Sequence, residues 1–151
     1  MLNIKITPTT NSKLDSLDMN EPPAFGTVYS DHMFVMDYVN GEWTNAEIKP
    51  FGNFNIHPAN LALHYGQSIF EGLKASNNSE GTPLFFRLDM HIKRLNASAR
   101  RMCMPDVPAD IFNEAIHELV TLDKDWIPTT PDSALYIRPL MFANEKYIGV
   151  R

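Results

Sequence analysis

Ser133-Ala-Leu-Tyr-Ile-Arg-Pro-Leu-Met-Phe-Ala143 is the stretch on which the reading of this chain turns. An extended strand sends alternate side chains to opposite faces. Leu135 and Ile137 then point one way, and Tyr136 and Arg138 point the other. A guanidinium beside a phenol on one strand face is costly to bury without an anionic partner. On these residues alone two readings stay open. In one, Arg138 lies on a solvent-facing strand with its stem along Tyr136. In the other, the pair binds a carboxylate, because arginine forms bidentate hydrogen bonds to planar oxyanions and tyrosine adds a donor.

Upstream of this strand, Pro108 opens a helix whose apolar face is Ile111, Phe112, Ala115, Ile116, Leu119 and Val120, with Glu114 and Glu118 opposite. Before it, Ile92, Leu95, Ala99 and Met102 repeat at helical spacing, with Asp89 as the expected N-cap and Pro105 as the stop. Leu73 to Ser76 and Leu84 to Arg87 read as strands around a turn at 77–81. Between Pro58 and Gly72 the pattern fits a loop entering a short helix that Gly72 stops. Met33 to Val39 is a strand running into Asn40-Gly41, a strong hairpin signal, because both central residues of a type I′ turn need positive φ. The chain resumes at Glu42-Trp43, and Glu47 to Phe51 reads as a further short strand. Residues 1–24, polar and broken by Pro8, Pro22 and Pro23, read as an arm, partly mobile or docked on another surface, with the domain spanning 25–151. Hairpin strands, two helices and another strand predict an α+β fold in two layers, an antiparallel sheet with two helices packed on one face.

The chain has 151 residues, enough for one domain with a real core, and its 44% hydrophobic and 21% charged residues are a globular composition. A net charge of −5 and scattered basic residues argue against a nucleic-acid partner. The apolar runs fall short of a membrane span, and the N-terminus lacks signal-peptide order. Cys103 is the sole cysteine, so an internal disulfide is excluded, and it reads as a packing residue beside Met102 and Met104. The histidines make no metal constellation at ligand spacing. A reducing cytoplasm fits these features.

Three motifs occur in order: Leu63-His-Tyr-Gly-Gln-Ser-Ile-Phe-Glu-Gly-Leu-Lys-Ala75, Phe86-Arg-Leu-Asp-Met-His-Ile-Lys-Arg-Leu95, and Ala134-Leu-Tyr-Ile-Arg-Pro139. At these separations the series resembles the N-terminal half of branched-chain amino acid aminotransferases, pyridoxal phosphate (PLP) enzymes of the fold shared with D-amino acid aminotransferase. Phe25-Gly-Thr-Val-Tyr-Ser-Asp-His-Met33 extends the likeness. The resemblance implies the small N-terminal domain of a two-domain enzyme that moves an amino group between leucine, isoleucine or valine and 2-oxoglutarate, with glutamate as the other amino acid. It implies that Arg94 grips the cofactor phosphate. Phe25, Tyr65 and Phe70 would line the substrate pocket, with Tyr65 donated to the neighbouring active site of a homodimer. Arg138, with the hydroxyl of the neighbouring subunit's Tyr65, would bind the distal carboxylate of glutamate, and Tyr136 would orient substrate near the α-carboxylate. An apolar cage of aromatics is what a branched side chain needs to leave water. When such a side chain is bound, Arg138 must be held by other groups.

Read without the resemblance, Arg94 belongs to a solvated helix face, and Tyr65 and Phe70 are core aromatics. Glu71 reads as a surface or capping residue, with an anchor that holds a site residue as the alternative, Arg87 as a strand-end surface residue, His91 as structural, and His64 as a hydrogen-bond partner for Tyr65. Lys5, Lys13, Lys49, Lys74, Lys93, Lys124 and Lys146 do not lie in a sequence like the family's cofactor-lysine motif, which the resemblance places in a C-terminal domain. The segment is therefore expected to carry no catalytic residue and to be inactive alone. The alternatives are a D-amino acid aminotransferase or an aminodeoxychorismate lyase of the same fold, or a non-catalytic domain that dimerises or binds anions.

Overall fold

A computed structural model describes residues 2–18 and 23–149 of the chain. Part of the expected arm, 19–22, and the last two residues lie outside the described residues. The fold is α+β. Its strands are β1 (Lys5–Ile6), β2 (His32–Val39), β3 (Glu42–Pro50), β4 (Ser68–Phe70), β5 (Leu73–Asn77), β6 (Pro83–Phe85), β7 (Leu135–Ile137) and β8 (Leu140–Phe142). The helices are α1 (Leu61–Tyr65), α2 (Leu88–Arg101) and α3 (Ala109–Leu122). Pairing is antiparallel except between β1 and β3, and the strands divide into three small sheets, β1-β3-β2, β4-β8 and β6-β5-β7.

The β2–β3 hairpin turns at Asn40 and Gly41, both at positive φ (53° and 88°), as a type I′ turn requires. β3 is continuous from Glu42 to Pro50. The separate strand expected from Glu47 is its second half. The register slips by one residue between the pairs Val35–Glu47 and Asp37–Thr44, and Asn45 in the bulged stretch sits at φ 55°. Such a bulge kinks the strand without ending it.

α3 separates two cores. Phe112, Ile116 and Val120 join Ile92, Leu95 and Ala99 of α2 and Ile69, Leu73 and Ala75 of β4 and β5. Ala115 packs instead on Ile4, Ala46 and Ile48, with Leu119 and Leu122 at the margin. The N-terminal segment thus lies on the hairpin, with Ile4 buried and Lys5 paired to Glu47 at 2.8 Å. Asp31 holds it further, accepting from the Ser12 hydroxyl (2.6 Å), the Lys13 N–H (2.9 Å) and Trp126 Nε1 (3.0 Å). Beside it, the Thr9 N–H donates to His32 Nε2 at 2.8 Å, so the ring proton is on Nδ1, which donates to Asp123 Oδ1 at 2.6 Å. No local sequence pattern marks this buried pair.

Three local expectations need correction. α2 starts at Leu88 with Arg87 as its N-cap at φ 55°; Asp89 is inside the first turn, where it accepts from Arg87 Nε at 3.1 Å. A carboxylate there favours the positive end of the helix without capping it. Cys103 is exposed at φ 54°, in the turn after α2, and does not pack. The short helix ends at Gly66 (φ 67°), not at Gly72, and the chain is again a strand by Ser68. Its N-cap is Asn60, fully buried, whose side chain accepts from Ala62 and Leu63 and donates to Asn144 Oδ1 at 2.7 Å.

Asn60→Ala removes that cap and leaves the part-buried Ala62 and Leu63 N–H groups without their side-chain acceptor, for a loss of about 1–2 kcal/mol. The expected result is a lower urea midpoint with an unchanged slope; an unchanged midpoint would mean that water replaces the cap at no cost.

Candidate active site

The 133–143 run is extended but divides at Arg138-Pro139. β7 pairs with β5 and β8 pairs with β4. The register is the same on both sides of the break, with Phe70 opposite Leu140 and Leu73 opposite Ile137. Glu71 and Gly72 therefore stand opposite Pro139 and Arg138. The Glu71 N–H still donates to Pro139 O at 2.9 Å. Pro139 has no N–H to return, so the ladder is interrupted at this point.

Alternation through the break sorts the side chains. Ile69, Leu73, Leu135 and Ile137 face the helices and join the core. Glu71 shares their parity, and its side chain is only 5% exposed. There its two oxygens accept from Arg94 Nε and Nη2 of α2, and Oε1 also accepts from the Gly72 N–H at 2.8 Å. His91 Nδ1 lies 3.7 Å from Oε2. Burial pushes the Glu71 carboxyl up, but the Arg94 and Gly72 hydrogen bonds and the Arg94 and His91 charges outweigh it, so it rests below the usual glutamate value. Arg94 is drawn upward by the Glu71 hydrogen bonds and charge. Its side chain is 66% exposed, and two of the five guanidinium N–H donors are used by Glu71, which leaves three.

The opposite parity carries the other candidates. Arg138 Nη2 donates to the Tyr136 hydroxyl at 3.0 Å, and the guanidinium lies over the Phe70 ring, 4.4 Å from its centroid. Phe25 meets Tyr136 edge-on with centroids 5.0 Å apart. Tyr136 lies close over Gly72, where an added Cβ would overlap the hydroxyl and come within 2.9 Å of Cζ. A side chain at position 72 is therefore excluded while Tyr136 keeps its place; close approach, and not a helix stop, is what the glycine provides. Tyr136 and Arg138 share one side and Leu135 and Ile137 pack into the core, as the strand reading predicts.

Phe25, Phe70, Tyr136 and Arg138 thus form one cluster, and Arg94 reaches it only through Glu71 and Gly72. Phe70 is 64% exposed and is not a core aromatic, and Phe25 beside the cluster is 76% exposed. Tyr65 stands apart on α1, half exposed, 6.3 Å from the His64 ring. His64 Nε2 faces Pro58 O at 2.9 Å, so the expected His64–Tyr65 hydrogen bond is replaced by a backbone contact. Arg87 is exposed and ion-paired with Asp89. Among the described residues no three His, Cys, Asp or Glu side chains come together as a metal cage, and no helix is long and apolar enough to cross a membrane.

No family model matches the chain. Individual proteins do. The branched-chain-amino-acid aminotransferase of Mycobacterium tuberculosis (H37Rv) is 40% identical over 148 residues, which are 97% of this chain and 40% of that protein. The branched-chain-amino-acid transaminase 1 of Bacillus subtilis is 44% identical over 128 residues, 84% of this chain and 36% of that one. The chain is a homologue of the branched-chain amino acid aminotransferases. Among solved structures, the Escherichia coli branched-chain amino acid aminotransferase superposes with a TM-score of 0.54 at 30% identity, over 73% of this chain and 33% of its own. The T.th. branched-chain amino acid aminotransferase, solved in complex with N-(5'-phosphopyridoxyl)-L-glutamate, gives a TM-score of 0.56 at 32% identity over 68% of this chain and 32% of its own. This chain therefore spans about two-fifths or less of the length of the aminotransferases it matches.

Glu71 is the residue that sequence reading misplaced. Reading 69–72 as the end of a helix hid the alternation Ile69, Glu71, Leu73, which marks a carboxylate on the core face of a strand. Because the Glu71 carboxyl is held below its unfolded value, its contribution to stability is complete above the ordinary glutamate range and disappears as pH falls through the lowered value. Glu71→Gln should flatten the acid limb of a stability–pH curve measured by urea denaturation. An identical acid limb in the variant would show that the pair adds nothing to folding.

Proposed function

We propose that the chain is the N-terminal part of a PLP-dependent aminotransferase that moves an amino group between leucine, isoleucine or valine and 2-oxoglutarate, with glutamate as the counterpart. The observation that carries this reading is the cluster at the Pro139 break, where a guanidinium, a phenol and two exposed aromatic rings meet on one strand face. The relatives' names support the reaction class, and the phosphopyridoxyl ligand of the T.th. enzyme supports the cofactor.

The residues present fit the cofactor's phosphate. Arg94 has three N–H donors beyond those that Glu71 occupies, on an exposed guanidinium, and a permanently charged fork suits a phosphate dianion. PLP, when bound, supplies the electron sink that amino-group transfer requires. The chain's own residues bind and orient. Phe25 and Phe70 offer apolar surface for a branched side chain. Arg138 takes the distal carboxylate of glutamate, since only one of its five donors is committed to Tyr136. With a hydrocarbon in the pocket, the Tyr136 hydroxyl and the face of Phe70 keep that guanidinium from being stranded. One pocket can then serve both substrates without moving a charge into apolar surroundings. Tyr136 orients substrate near the α-carboxylate.

Tyr65, half exposed on α1 and outside this cluster, is read as reaching the neighbouring active site in a homodimer. The exposed Phe54, Leu63 and Leu140 are consistent with surface that a second subunit or the rest of the protein covers. The cytoplasm is the compartment this reading assigns, as an exposed lone thiol at Cys103 suits a reducing environment.

Two measurements on the complete protein test the reading. Arg138→Met should slow the single-turnover half-reaction with glutamate by roughly ten- to a hundredfold relative to that with leucine, because only glutamate loses a charged hydrogen-bond partner. Equal losses in both would make Arg138 a scaffold residue. Arg94→Ala should weaken PLP binding by roughly ten- to a hundredfold, measured by equilibrium titration of the apoprotein, and lysine should restore only part of it. An unchanged affinity would remove Arg94 from the phosphate site.

A further inference from the structure

Glu71 has a position that packing does not explain. A carboxylate on the core face of β4–β5, between buried Ile69 and Leu73, is costly unless it is fully partnered. It is partnered at every level. Its backbone N–H is fixed to Pro139, the residue after Arg138; Oε1 takes the Gly72 N–H; and both oxygens take Arg94. The buried member of the ion pair is the carboxylate, and the arginine is the exposed one. Rigidity therefore passes from the sheet to the arginine, and not the other way.

We propose that Glu71 is a positioning residue for the cofactor phosphate: it locks the Nε and Nη2 edge of Arg94 to the sheet, so that the three remaining donors are presented in one orientation. The proposal rests on the reading of Arg94 as a phosphate ligand. Arginine has several rotatable bonds, and a free side chain on an exposed helix face loses rotamer freedom when it binds. Glu71 meets that loss at folding, so binding the phosphate does not. Two of the five donors are sacrificed to gain this order. The same residue joins the two halves of the site. Its neighbours Phe70 and Gly72 touch Arg138 and Tyr136, while its carboxylate holds Arg94.

The test is a double-mutant cycle on the complete protein, with PLP affinity of the apoprotein as the readout. Glu71→Gln keeps the shape and removes the charge. It should weaken PLP binding on the order of tenfold, as loss of a group that orients a ligand-binding side chain does. Combined with Arg94→Ala, it should cost nothing beyond Arg94→Ala alone, because Glu71 acts through that arginine. Additive losses would show that Glu71 acts independently and would overturn the proposal. So would an undiminished affinity in Glu71→Gln alongside a weakened Arg94→Ala, an outcome that leaves the phosphate role of Arg94 intact. If Arg94→Ala itself binds PLP normally, the reading of Arg94 fails first and the positioning role fails with it. A general structural collapse is separated by the half-reactions at saturating PLP: positioning predicts that the glutamate-to-leucine rate ratio stays at the wild-type value, and a shift in it would count against the proposal. Should Glu71→Gln not accumulate, Glu71→Asp, which keeps the charge and shortens the reach by one methylene, enters the same cycle.

Discussion

Pro139 lacks the backbone hydrogen that would close the ladder between 68–77 and 135–142, and the candidate site lies at that gap in a register that the flanking pairs hold fixed. The two strand segments keep their register across the gap, so side-chain parity is preserved while one return hydrogen bond is lost. A continuous ladder would carry the same residues on the same faces. At the interruption, Tyr136 can lie over Gly72 and Arg138 can lie over Phe70, which brings polar chemistry to a strand junction that core packing otherwise holds still. Sites built on strands and helices are more precise than sites built on loops. Here Phe70 stands on β4 and Tyr136 on β7, Arg138 directly follows β7 at the junction, and Phe25 comes from an irregular segment.

Behind the ladder, charge is handled by pairing within the fold. Glu71 with Arg94 and Asp123 with His32 are both carboxylates below 10% side-chain exposure, each satisfied by a cationic or N–H partner from a distant part of the chain. The two pairs have different consequences. Asp123 and His32 tie the end of α3 to the start of β2, and through Thr9 they reach the N-terminal segment. Both His32 nitrogens are committed there, which is a structural use. The Glu71 pair leaves its arginine open to solvent with three donors uncommitted, as the proposed phosphate contact requires. α3 packs beside both, with two apolar faces that serve separate cores.

Much of the fold was legible because it depends on local rules. Asn40-Gly41 allowed one hairpin type, the apolar spacing of α2 and α3 allowed one buried face each, and the alternation around Tyr136 allowed one strand polarity. What failed did so where short elements meet. A five-residue helix followed at once by a strand has too few residues for periodicity to separate 3.6 from 2, so 58–72 reads as a loop entering one short helix when it holds α1, Gly66 and β4. Asp89 suited an N-cap by residue type, but where the helix starts was decided by Arg87 adopting positive φ.

For the site, the sequence by itself determined the parity of Tyr136 and Arg138, since that follows from bond geometry along one strand, and the ordered motifs identified the residues to examine. Only the tertiary structure decided which of them meet. Phe25 reaches Tyr136 across more than a hundred residues of chain, Phe70 slides under Arg138, and Tyr65 joins neither. Glu71 needed it most. Periodicity could have marked it as inward-facing, but whether an inward carboxylate is an error, a metal ligand or an anchor depends on what lies opposite. That is Arg94, 23 residues away on a helix whose placement is fixed by Ile92, Leu95 and Ala99 packing on the sheet. A charge–charge contact between separate elements has no period and no local signature; it exists only once hydrophobic packing has set the distance between them.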